Sequence, residues 1–100
     1  NFIFSELIKS DFPNINFWRT KDGAEVDFIL NYKSNIIPIE VKATKLDRPS
    51  FPRGVVSFVQ RYKPKIGIII NMEYQSVVNY QGTEIHYLLP YQLASFLEAI

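Results

Sequence analysis

The side chains best suited to chemistry crowd into two short β-like runs, EVDFIL at Glu25–Leu30 and IPIEVKA at Ile37–Ala43. Side chains alternate between the faces of a strand, so Glu40 and Lys42 are expected to project together while Ile39, Val41 and Ala43 project the other way. By the same rule Glu25 and Asp27 share a face of the neighbouring run, opposite Ala24, Val26 and Phe28. Three carboxylates and one lysine would then converge on a small sheet. Carboxylates held close together are costly to desolvate unless a cation compensates, and Mg²⁺ (or Mn²⁺) takes a few carboxylate oxygens together with waters and phosphate oxygens. A metal so held activates water and polarises a phosphate, and a neighbouring ammonium stabilises the developing charge, which are the parts that hydrolysis of a phosphodiester needs.

Each of these residues also has a plainer reading. Glu40 and Lys42 alone could form a same-face ion pair on an exposed sheet, worth about 0–1 kcal/mol. Asp27 in register with them is what turns the reading toward a metal site. Glu25 stands at a strand end and reads as a surface charge, with ligation in reserve. His86, between Ile85 and Tyr87, reads as a structural or surface histidine rather than a catalytic base. Phe17 and Trp18 read as core aromatics.

The elements that must position these groups follow from periodicity. Asn1 can cap a helix from Phe2 to about Ser10, with Ile3, Phe4, Leu7 and Ile8 on one stripe and Pro13 just beyond. Ile15–Thr20 and Ala24–Asn31 read as two strands joined by Lys21-Asp22-Gly23, where Gly23 supplies the positive φ of a short hairpin. Tyr32–Asn35 is a second turn into a third strand, Ile36–Ala43, which makes three antiparallel strands. Pro49 and Pro52 break the chain, and Phe51, Val55, Phe58, Val59 and Tyr62 recur at the spacing of a second helix, ended by Pro64. Lys65–Asn71 reads as a central strand covered on both faces. Ser76–Tyr80 and Glu84–Leu89 form an edge hairpin around Gln81-Gly82-Thr83, and Pro90 opens a last helix carrying Leu93, Phe96, Leu97 and Ile100.

Composition bounds the rest. A chain of 100 residues with 47% apolar content and no Gly/Ser linker is expected to be one domain, residues 1–100, with one hydrophobic core. With no cysteine, disulfides, thiolate metal sites and cysteine nucleophiles are excluded, and a cytoplasmic setting is favoured. No apolar run approaches the ~20 residues of a membrane span, and none resembles a signal peptide. The net charge of +1 leaves any affinity for nucleic acid to a local basic face. The chain begins without methionine in an apolar, helix-like segment and is therefore read as one piece of a longer protein.

The segment INFWRTKDGAEVDFIL followed by IPIEVKAT resembles the PD-(D/E)XK nuclease-like domain found C-terminal to an AAA+ ATPase module, and the likeness runs from Phe2 to about Pro90. It implies an α/β, restriction-endonuclease-like αβββαβ core with a central mixed sheet flanked by helices, here with a C-terminal hairpin and helix added. It further implies Glu6 as an acidic residue from the first helix, Asp27 as the principal metal ligand, Glu40 as the second ligand and Lys42 as the catalytic lysine. The proline that usually precedes the aspartate is replaced by Val26, and the helix after the third strand carries no further motif. The expected activity is Mg²⁺- or Mn²⁺-dependent hydrolysis of DNA, with ATP entering only through a neighbouring ATPase module of the same chain. The competing expectation is a nuclease-fold module that binds nucleic acid or protein without turnover; a third is a domain that only positions the ATPase part.

Overall fold

The computed structural model describes residues 15–100. Six strands form one mixed sheet: β1 (Ile15–Arg19), β2 (Glu25–Tyr32), β3 (Asn35–Val41), β4 (Ile66–Ile70), β5 (Ser76–Tyr80) and β6 (Thr83–Leu88), in the spatial order β1-β2-β3-β4-β6-β5. Among the described residues two helices flank it, α1 (Arg53–Tyr62) and α2 (Leu93–Ala99), the second entered through a short 3-10 turn at Pro90–Gln92. The fold is therefore the expected α/β mixed sheet with an added C-terminal hairpin and helix. The helix expected over Phe2–Ser10, and Glu6 with it, lies outside the described residues.

β1, β2 and β3 form an antiparallel meander, and β3 then runs parallel to β4. That reversal of direction requires a crossover, which α1 supplies. β4 is also parallel to β6, so it is hydrogen-bonded on both edges. Helices lie over its two faces. Ile69 packs with Val55 and Val59 of α1, whereas Ile68 and Ile70 pack with Leu93 and Leu97 of α2. This two-sided cover explains why IGIII is apolar at every side-chain position, where a half-exposed strand would alternate.

The turns are tighter than the pattern of residues announces. β2 and β3 are joined by Lys33 and Ser34 alone, both at positive φ (49° and 66°), the backbone of a type I′ hairpin built without glycine or asparagine. Gly23, at φ 92°, plays the part expected of it in the first hairpin. Gln81 and Gly82 close the β5–β6 hairpin in the same left-handed fashion. Among the described residues no helix is long and apolar enough to cross a membrane.

One close approach fixes where α1 begins. A Cβ on Gly54 would stand 1.7 Å from the carbonyl oxygen of Glu25, so the first turn of α1 rests directly on the β2 backbone. Arg53 holds the same end from the side, donating from Nη2 to the Asp22 carbonyl at 3.0 Å and to its carboxylate at 3.1 Å. Helix propensity alone would make Gly54→Ala stabilising by about 1 kcal/mol, but a backbone clash of that depth cannot be relieved by rotating a side chain. The expected outcome is a net loss of about 2–3 kcal/mol in chemical denaturation. A stability equal to or above the wild type would show that α1 does not sit on β2 in this way.

Candidate metal centre

Asp27 is placed by an irregularity in β2. β1 pairs Asn16 with Ile29 and Trp18 with Val26, so two residues, Asp27 and Phe28, stand opposite the single residue Phe17. This is a β-bulge, and it breaks strict alternation. Val26 packs with Ile29 and Phe58 on the α1 side, while Phe28 packs with Leu30, Ile39 and Leu97 on the α2 side. The expectation that Val26 and Phe28 share a face is corrected accordingly: the extra residue turns the strand between them.

The β2–β3 ladder stops beside this bulge. Its last regular pair is Phe28 with Ile39, and beyond it the backbone groups are satisfied by side chains. The Asp27 N–H donates to Glu40 Oε1 at 3.0 Å, and the Val41 N–H donates to Asp27 Oδ2 at 2.9 Å. Each carboxylate thus takes an N–H from the opposite strand. One oxygen of each is committed to the backbone, and Asp27 Oδ1 and Glu40 Oε2 are not.

Lys42 follows directly after β3, anchored by its own N–H to the Ile70 carbonyl at 2.7 Å. Its Nζ lies 4.0 Å from Glu40 Oε2, a loose pairing with the lysine side chain 38% exposed and the glutamate 14%. Glu40 is held in an environment hostile to its charge. Burial, helped by the charge of Asp27 and a carboxyl–carboxyl hydrogen bond, pushes its pKa from the ordinary 4.5 up to about 7, against the opposing pull of the Asp27 N–H and Lys42.

Asp27, Glu40 and Lys42 are therefore brought together. Glu25 is not: it pairs across the hairpin with Arg19 at 3.2 Å, both side chains exposed, so the expected convergence of three carboxylates reduces to two. Among the described residues no group of three or more histidine, aspartate or glutamate side chains is gathered as a cation site. Glu6, which the resemblance adds as a third ligand, lies outside the described residues. His86 stands apart, its ring 4.5 Å from Phe96 and its Nε2 3.2 Å from Glu84.

The donor set fits a hard divalent cation. The Asp27 and Glu40 carboxylates each offer an oxygen not used by the backbone, and oxygen ligands with room for water and phosphate are what Mg²⁺ and Mn²⁺ prefer. Asp27 and Glu40 would hold such an ion, leaving the Lys42 ammonium beside it.

The pKa of Glu40 carries a signed consequence in the metal-free protein. Because folding raises it, the stability it contributes is fully present below about 4.5 and is lost as pH rises through about 7. In chelator, unfolding free energy should fall across that window by on the order of 2–3 kcal/mol on account of this group. Glu40→Gln, which keeps the acceptor for the Asp27 N–H, should flatten the dependence. Parallel pH profiles for the two proteins, followed by urea denaturation, would contradict this account.

The model of one protein family, described as Domain of unknown function (DUF4143), matches residues 1–93. No curated protein and no solved structure matches the chain.

Proposed function

The chain belongs to the DUF4143 family, and we propose that it is a divalent-metal-dependent nuclease domain hydrolysing phosphodiester bonds of DNA. The observation that carries this reading is the meeting of Asp27, Glu40 and Lys42 where β2 leaves β3, with the glutamate destabilised as an anion until a cation arrives.

The residues divide the work. Asp27 and Glu40 are fixed in rotamer by the N–H groups they accept, so their remaining oxygens are presented without further ordering. When bound, Mg²⁺ or Mn²⁺ supplies Lewis acidity to the scissile phosphate and lowers the pKa of a coordinated water. Lys42 is only loosely tied to Glu40 and reaches solvent, so its ammonium is available to the charge that builds on the phosphate oxygens or to orient the attacking hydroxide. Glu6 enters this scheme through the resemblance alone, as a third ligand. The same resemblance supports an AAA+ ATPase module as partner in the same chain, and with it a cytoplasmic setting.

One observation favours the competing reading of a fold that binds without turnover: only two carboxylates meet among the described residues. Mutation distinguishes the two. Lys42→Ala and Asp27→Asn should each lower Mg²⁺- or Mn²⁺-dependent cleavage of plasmid DNA by about 10²–10³-fold. In chelator, Asp27→Asn should melt at or above the wild-type temperature, because an amide oxygen can still accept the Val41 N–H while the repulsion with Glu40 is gone. Loss of stability with cleavage unchanged would sink the metal-site reading for Asp27. DNA binding without cleavage by the wild type in either metal would support the silent module instead.

A further inference from the structure

β1 is an outer strand of the described sheet, and its aromatic residues are not closed into the core as their types suggest. Trp18 turns toward α1 and meets Phe58 and Tyr62 edge-on, at 5.3 and 6.3 Å between ring centroids. Phe17 is 59% exposed and Tyr62 45%. Between β1, β2 and the C-terminal half of α1 runs an open groove of 220 Å³, whose walls include Asn16, Phe17, Trp18, Asn31 and Tyr62.

The chemistry of these walls is selective. No carboxylate lines the groove. Two guanidinium groups flank it, Arg19 over the Phe17 ring at 5.2 Å and Arg61 over the Tyr62 ring at 5.4 Å. Among the described residues Arg61 has no acidic partner within ion-pairing distance. Arg19 is paired with Glu25, so Arg61 is the guanidinium left open, and together with aromatic rings and side-chain amides it suits an anionic chain that carries planar, hydrogen-bonding rings. The volume is below the ~300–1,000 Å³ of pockets for drug-sized molecules, so one ring system enters at a time. In a duplex the base faces are covered by their neighbours, and only an unpaired strand can offer one to stack.

We infer that this groove seats an unpaired base of a single-stranded DNA segment, with Arg61 on a flanking phosphate. The inference deepens the nuclease reading and rests on it for the choice of strand. Register brings the two near each other: Trp18, in the groove wall, pairs with Val26, the residue before Asp27.

Trp18 is the single tryptophan of the chain, so its fluorescence reports on the groove directly. A short oligothymidylate titrated into the full chain in chelator should quench it to saturation, and the duplex of the same sequence should quench less. Tyr62→Ala and the exposed charge reversal Arg61→Glu should each raise Kd about 10-fold with circular dichroism unchanged. The inference is overturned if the single strand does not quench, if duplex or inorganic polyphosphate quenches equally well, or if both variants bind like the wild type. Parallel cleavage assays in Mg²⁺ separate the two claims. Oligothymidylate binding without cleavage of any DNA leaves the groove standing and removes the nuclease, whereas cleavage without quenching removes the groove alone.

Discussion

The exchange of two N–H groups between strands is the interaction on which the candidate site depends. Where the β2–β3 ladder stops, beside the bulge that β2 makes against β1, two backbone donors have no ladder partners, and leaving them unpaired would cost roughly 1–3 kcal/mol each. The carboxylates of Glu40 and Asp27 accept them reciprocally. The arrangement closes the ladder and, in the same act, aims two anions at one point. A bulge is thus both a structural fault to be satisfied and the means by which Asp27 escapes the alternation that would otherwise direct it.

The two demands pull against each other energetically. Capping the ladder's end favours ionised carboxylates, while burial and mutual repulsion disfavour them, and at Glu40 the second effect wins in the metal-free protein. The surrounding fold limits how far the pair can relax. Gly54 brings the first turn of α1 onto Glu25, two residues from Asp27, and β4 holds the far side of β3 through the Lys42 N–H. Stability is given up locally, where the chemistry would be, and recovered in the isoleucine-rich centre of the sheet.

Much of the architecture was legible because periodicity reports burial. The isoleucines of β4, the i, i+4 stripe of α1 and the Glu40-x-Lys42 spacing each announce one physical requirement, and the structure has all three. The bulge was not legible, since Val26, Asp27 and Phe28 read as ordinary alternation and only the pairing with β1 reveals the extra residue. Lys33 and Ser34 carry no mark of a two-residue turn, because positive φ was forced on residues that do not prefer it. Phe17 is apolar and was expected inside; its position on an outer strand, a tertiary fact, leaves it exposed. Glu25 was legible as a surface charge at a strand end, and the structure has it exposed and paired with Arg19 across the hairpin.

Calorimetric titration with Mn²⁺ tests most directly whether Asp27 and Glu40 form a cation site. One ion per wild-type chain should bind, Asp27→Asn and Glu40→Gln should each weaken binding at least about 10-fold, and Glu25→Gln should leave it unchanged. Equal binding by all four proteins, or no binding by the wild type, would contradict the account.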